Sequence, residues 1–477
     1  MTTDKYTSPL CERYASAEMQ HIFSAEYKFS HWRKLWIALA EGEKELGLDI
    51  TDAQIDEMKA HVDDIDFARA AELEHQVRHD VMAHLLTYGE ACPSAKPVMH
   101  LGATSCYVGD NTDVIQMRDA LLLVKKRLVT AIKAVRDFAD KYKSLACLGY
   151  THFQSAQPTT VGKRATLWLQ DLVSDLDSLD FRLNELALLG CKGTTGTAAS
   201  FLKLFDGDVG KVEKLDKAIA AKFGFSRTVA VSGQTYSRKT DYNVVSVLCG
   251  IAQSAHKFAN DVRLLSHEKE LEEPFEDKQI GSSAMAYKRN PMRSERMTAL
   301  CRYVIADSLN PALTASEQWL ERTLDDSANR RIALPEAFLA TDGILILLAN
   351  IASGLTVYPN VIAKNLRREL PFIATENILM YCVEHKNGDR QELHELIREH
   401  SFAAAKAIKE EGADNDLLQR IAADKHFGLT ADELDKILDV NAFVGMACRQ
   451  TENYVSAVDK VLEANKAFVD KGQEVNV

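Results

Sequence analysis

The 477-residue sequence lacks any uninterrupted apolar run near the ~20 residues that span a bilayer; the longest candidate, Ile344 to Ala352, is too short. Met1 to Ser16 has no basic stretch followed by an apolar one, so no secretory or transit signal is expected. The nine cysteines (Cys11, Cys92, Cys106, Cys147, Cys191, Cys249, Cys301, Cys382, Cys448) are scattered and never form Cys-x-x-Cys. That fits reduced thiols in a soluble cytoplasmic protein better than disulfides or a zinc cage. Positive charge is in deficit, 57 Lys+Arg against 69 Asp+Glu, for a net charge of -12. Such a balance argues against a general nucleic-acid or membrane-surface binder, so an anionic ligand would need a local basic pocket. Neither Gly-x-x-x-x-Gly-Lys-Ser/Thr nor Gly-x-Gly-x-x-Gly occurs, and Lys192 to Thr197 completes neither. ATP hydrolysis and nicotinamide binding therefore lack support.

Alternating strand patterns are also scarce, whereas helical ones are long. Val114, Met117, Leu121, Val124, Leu128, Ala131, Val135 and Phe138 recur at spacings of three and four, as do Val244, Leu248, Ile251, Ala255, Phe258, Val262 and Leu265. Each seam predicts a helix of ~35 Å packed against near-parallel neighbours. Val245, Ala252 and Ala259 widen the second stripe beyond a two-stranded coil, which predicts a helix surrounded in a bundle. Further helices are expected at about 160–188, 292–318 and 334–353, and short ones through the first hundred residues, which end in a loop at 91–110. Gly190 to Gly210 reads as a connection, Ser353 to Asn360 as a boundary, and Thr430 with Glu433 as a capping box. The chain is too long for one compact core. The reading is all-α, with helical domains at 1–110, 111–360 and 361–477, the middle one a long-helix bundle.

Several segments carry chemistry. Residues 281–295 join a hydroxyl-rich entrance (Gly281, Ser282, Ser283) to a cationic exit (Lys288, Arg289, Arg293, with Arg296 just beyond), either a site for a polyanionic small molecule or a solvated loop. His152 lies among Thr151 and Gln154, which could orient its ring for proton transfer; a structural role is the alternative. Thr104 and Ser105 precede the first long helix, where they either cap it or meet an anion. Arg322, Arg330 and Arg331 surround Ser327, an anion grip or a charged face. His75 and His79 stand at i, i+4 on one helix face, but the glutamate of His-Glu-x-x-His is missing, so no metal is expected and His79, between Arg78 and Asp80, reads as ligand-facing.

Taken together the segments resemble the fumarase/aspartase superfamily. Residues 281–290 are similar to its Gly-Ser-Ser-x-Met-Pro-x-Lys-x-Asn motif, 151–158 to its Thr-His motif and 103–111 to its first motif. Ala156 to Arg164, Ser232 to Arg238, Tyr287 to Glu295 and Trp319 to Arg331 resemble the branch that acts on adenylosuccinate. Two residues depart from the pattern: Ala286 and Ser155 stand where proline is usual. Proline fixes φ, so Ala286 implies a more mobile loop.

The resemblance implies C–N cleavage by β-elimination without a cofactor. Adenylosuccinate would yield AMP and fumarate, and the succinylated imidazole-carboxamide ribotide SAICAR would yield AICAR and fumarate. By the same resemblance Ser282 is the base, His152 the acid, Lys288 the stabiliser of the carbanion, Glu295 an orienting group and His79 an assistant. Substrate contacts are implied for Arg13, Tyr14, Arg78, Asp80, Thr104, Ser105, Gln234, Arg296, Arg322, Ser327 and Arg331. The family further implies a homotetramer with the bundle as its core and active sites shared between subunits, and no nucleic-acid or membrane partner. An argininosuccinate-cleaving relative, a non-catalytic structural relative and a helical scaffold are the other readings.

Overall fold

Both helical seams become full helices in the computed structural model, which describes residues 4–276 and 278–470. The bundle comprises α1 (Ser105–Lys141), α2 (Val161–Glu185), α3 (Lys239–His267), α4 (Met292–Asp307) and α5 (Asp326–Gly354). Every residue of both predicted seams is buried, as are Val245, Ala252 and Ala259. A fully buried Leu or Ile contributes about 1.5–3 kcal/mol over an exposed one, so a charge at Leu128 or Leu248 would break the bundle. Helix α1 has 37 residues and runs about 55 Å, because it begins nine residues ahead of Val114. The loop expected at 91–110 thus ends at Thr104, and the polar Asp110 and Asn111 are buried inside a helix.

Helix α5 corrects the search for apolar runs. By length and composition it could cross a membrane, with a window of mean hydropathy 1.8, although 72% of that window is buried within the protein. Asp342 interrupts the run, which is why counting contiguous residues missed it. The N-terminal region is likewise not made only of short helices, since Ala25–Glu45 spans 21 residues and buries Trp32 and Trp36.

Three clusters of buried side chains form. The largest lies along the five bundle helices and takes in Val455 and Val458 from the returning helix Ala447–Ala464. A second surrounds Trp32, Trp36 and Tyr88 and includes Phe201, Leu215 and Ile219. The third, around Ile378, Ile397 and Phe427, lies between 374 and 437. Thr430 and Glu433 do form the expected capping box.

Among the features not expected are a short helix, Ala199–Leu204, inside the connection read at Gly190 to Gly210, a short antiparallel pairing of Leu271–Glu272 with Thr356–Val357, and a longer hairpin. β1 (Ala146–Thr151) and β2 (Gln154–Thr160) pair antiparallel, with Thr151 opposite Gln154. His152 and Phe153 alone make the turn, at φ 54° and 55°. Two consecutive left-handed residues match a tight hairpin's twist, but for non-glycine residues they cost of order 1–3 kcal/mol each. Thr160 then caps α2 through its hydroxyl, which accepts from the Lys163 N–H at 3.0 Å.

Candidate active site

At one end of the bundle the starts of α1 and α5 meet the segment leading into α3, leaving a cavity of about 500 Å³. Arg78, His79, Asp80, Ser105, Arg322, Ser327 and Arg331 all line it, so seven of the predicted residues converge. Arg78 ends the helix Phe67–Val77 in the left-handed conformation (φ 56°), and His79 caps the next helix, Asp80–Ala91. The helical face drawn through His75 and His79 therefore does not exist. Nδ1 of His79 accepts from the Met82 N–H at 3.3 Å, which leaves Nε2 for a ligand. Asp80 receives Arg331 at 3.1 Å and thereby ties this turn to α5.

Thr104 occupies the N-cap of α1 without making a side-chain cap bond. Its hydroxyl and the free N–H groups of the first turn can therefore serve an anion. Gln234 lies nearby: its backbone N–H donates to the Glu321 carbonyl at 2.9 Å, and its side-chain oxygen receives the Cys106 thiol at 3.7 Å.

A buried ion network lies beneath the cavity. Arg238 donates to both oxygens of Asp110, at 2.9 and 3.1 Å, and to Asp326 at 2.6 Å. Arg330 reaches Asp241 at 2.6 Å, Asp113 at 2.8 Å and the Tyr236 hydroxyl at 2.5 Å. Burial opposes ionisation of Asp326, yet Arg238 and Arg322 outweigh it and its pKa falls. At Asp110 burial wins over Arg238 and Arg330, and the pKa rises. Burial, helped by neighbouring His79, lowers the pKa of His100 to about 4.

The remaining predicted residues lie elsewhere in the chain. Tyr14 rests on Gly343 of α5, where an added Cβ would come 3.0 Å from the Tyr14 carbonyl oxygen. Arg13 precedes it in the π-helical turn Leu10–Tyr14. His152, Ser282, Lys288, Glu295 and Arg296 belong to the opposite end of the bundle. The hairpin there meets Glu270 through the Tyr150 hydroxyl at 3.5 Å, and Arg289 of the 281–290 loop meets Glu272 at 3.3 Å, both just past the C-terminus of α3. Since Arg238 marks the other end of that 29-residue helix, about 43 Å separates the two groups within one chain.

In the loop itself, Ser282 Oγ accepts from the backbone N–H groups of Ala284 and Met285 at 3.3 and 3.1 Å. Asn290 donates to the Gly281 carbonyl at 2.8 Å, closing the loop on itself. A Cβ on Gly281 would sit 2.1 Å from the Lys288 carbonyl oxygen, so glycine is required at that crossing. Arg293 is an anchor rather than a free cation, since it is buried and bonded to Asn350 at 2.7 Å and Glu276 at 2.6 Å. Among the described residues Lys288 and Arg296 have no ion-pair partner.

Comparison with known proteins separates fold from family. A solved 3-carboxy-cis,cis-muconate lactonizing enzyme from Pseudomonas putida superposes with a TM-score of 0.81 at 22% identity, covering 94% of this chain and 98% of its own. A fumarate lyase from Mesorhizobium sp. BNC1 gives 0.79 at 22%, covering 95% and 99%. These likenesses carry the all-α fold alone. A family described as Lyase matches residues 12–306, and one described as adenylosuccinate lyase C-terminus matches 371–454. Adenylosuccinate lyase of Saccharomyces cerevisiae is 52% identical over 474 residues, 98% of each chain. That of Schizosaccharomyces pombe is 53% identical over 468 residues, 97% of each. The chain belongs to the adenylosuccinate lyase family. The adenylosuccinate lyase match covers both ends of the bundle, the arginine-lined cavity and the Ser282 loop alike.

Sequence reasoning missed Lys28, Trp32, Asp113, Gln116 and the buried ion network as parts of the cavity wall. Arg238 closes one motif segment, Asp110 lies inside another and Arg330 belongs to the basic cluster around Ser327, so a signal exists for these three. Lys28 and Trp32 carry no local mark, because their place depends on how Ala25–Glu45 packs.

Proposed function

We propose that this chain cleaves the C–N bond of adenylosuccinate to give AMP and fumarate, and acts likewise on SAICAR. The observation that carries the reading is a cavity rich in arginine within an acidic protein, in a chain about half identical to adenylosuccinate lyases over its whole length. A substrate with one phosphate and two carboxylates suits Arg78, Arg322 and Arg331 with the hydroxyls of Ser105 and Ser327, since guanidinium pairs with both anions bidentately.

In this reading Ser282 removes the proton from the carbon beside the departing nitrogen's carbon. The two N–H groups aimed at its oxygen favour the alkoxide, as hydrogen bonds to a charged form do. Lys288, which has no ion-pair partner among the described residues, stabilises the carboxylate-delocalised carbanion. His152, on a turn whose strain implies a held position, gives its proton to the leaving nitrogen. His79 faces the substrate with Nε2, Glu295 orients the acid or Lys288, and Arg13, Tyr14, Asp80, Thr104, Gln234 and Arg296 complete the binding set.

The ~43 Å between the two groups supports a site assembled from several copies in a homotetramer. Exposed Leu309, Leu313, Trp319, Leu320, Leu324 and Ile332 supply apolar surface for such contacts. Domains near 1–110, 111–360 and 361–477 belong to the same reading: the third buried cluster, confined to 374–437, supports the last of them, while the other two draw side chains from both sides of a boundary. Nine cysteines without a disulfide support a cytoplasmic setting. An absorbance assay offering adenylosuccinate and argininosuccinate separately tests the activity: turnover of the first alone is expected, and turnover of the second alone would overturn it.

A further inference from the structure

The ion network has an ordered direction, from buried core to cavity. Asp110 grips Arg238 with both oxygens, and Arg238 passes its Nε to Oδ2 of Asp326 at 2.6 Å. The other oxygen of Asp326, Oδ1, receives Nη1 of Arg322 at 2.8 Å. Asp326 and Arg238 are almost wholly buried, whereas the Arg322 side chain is 24% exposed and lines the cavity. Arg322 bonds only through Nη1, to Asp326 and to the Thr323 carbonyl. Its Nε and Nη2 have no partner among the described residues. Those two nitrogens form one edge of the planar guanidinium, the edge that pairs bidentately with a carboxylate or phosphate. A carboxylate at 326 is suited to this task because it can accept from two arginines at once.

We infer that Asp326 is a positioning residue: held by Arg238 and Asp110, it fixes Arg322 so that the free guanidinium edge meets a substrate anion. The inference deepens the proposed function and rests on Arg322 being a substrate contact. Without Asp326 the guanidinium would have to be immobilised at each binding event, which weakens binding by roughly three- to tenfold. The effect falls on KM, because Arg322 is read as a binding contact and takes no part in the proton transfers assigned to Ser282 and His152.

Steady-state kinetics with adenylosuccinate on the assembled enzyme tests this, with Tm measured for every variant. Asp326→Asn can accept from only one of the two arginines, and is expected to raise KM about tenfold while kcat changes less than threefold. Arg322→Ala is expected to raise KM at least thirtyfold. In the Arg322→Ala background, Asp326→Asn should add nothing further to KM, whereas a merely structural aspartate would penalise both backgrounds equally. Arg322→Lys, at a partly exposed position, covers the case where Asp326→Asn does not fold: an ammonium lacks the planar fork that holds Asp326 while offering the ligand a free edge of two N–H groups, so KM should rise as for Asp326→Asn. Multiplying KM effects in the double variant, or an unchanged KM in both Asp326→Asn and Arg322→Lys, overturns the positioning role. An unchanged KM in Arg322→Ala removes the substrate contact itself and the inference with it, and wild type that fails to turn over adenylosuccinate removes the activity.

Discussion

Ser282 has an ordinary hydroxyl, and what sets it apart is that two backbone N–H groups point at its oxygen. If it is the base, Ser282→Ala lowers kcat by roughly 10²–10⁴-fold, while Tm and the assembled mass stay at the wild-type values. Unchanged turnover would assign the base elsewhere. Glu43 poses a different question at the same scale. It lies fully buried in Ala25–Glu45, neither carboxyl oxygen has a partner among the described residues, and burial pushes its pKa up to about 8. The folded state thus favours the protonated acid, whereas the unfolded chain ionises near 4.3. The stability from keeping Glu43 neutral is complete below pH ~4.3 and declines by about 1.4 kcal/mol per unit until pH ~8. Glu43→Gln should therefore gain Tm relative to wild type as pH rises from 5 to 8, in thermal scans at matched ionic strength. A constant difference across that range would mean that Glu43 is not neutral in the folded protein. Nothing local in the sequence signals this residue, since a glutamate in a helix is ordinarily solvated.

Whole elements were legible in proportion to their periodicity. The bundle seams announced themselves because a buried helix repeats apolar residues every three or four positions. The 146–160 hairpin did not, because Gln154, Ser155 and Gln157 give β2 no apolar alternation and its turn is His-Phe rather than Asn-Gly. The motif loops could be matched by their residues, but the ion network joins partners 88 and 128 positions apart, beyond any local pattern. The 281–290 loop shows where one residue acts through an element. Ala286 is exposed, and its N–H makes no hydrogen bond among the described residues, so proline there would remove no donor in use among them. Proline lowers the entropy of the open chain by the equivalent of ~0.4–1 kcal/mol. Ala286→Pro is accordingly expected to raise kcat/KM about two- to fivefold and to slow proteolytic nicking of the loop. A loss of activity would show that the backbone at 285–286 avoids the conformations that proline imposes.

At the scale of the molecule the governing quantity is the length of α3. A 29-residue helix cannot bend its two ends together, so the Ser282 group and the Arg322 group of one chain stay about 43 Å apart. If they serve one reaction, they must come from different copies, and this makes a prediction that a self-contained chain does not share. Assayed with adenylosuccinate well below the wild-type KM, Ser282→Ala and Arg322→Ala should each keep no more than about 3% of the wild-type rate alone. Mixed under conditions that let subunits exchange, they should regain activity, because some sites then take an intact Ser282 from one subunit and an intact Arg322 from another. For random equimolar exchange about a quarter of the sites are intact in both respects, so the recovered rate should approach about a quarter of wild type. Two variants altered at the same end, Ser282→Ala and Lys288→Ala, come from one loop and should not complement each other. Recovery in the first mixture without recovery in the second would tie the assembly to the chemistry. Failure of the first, with exchange verified by mass, would require each chain to build its site from one end alone.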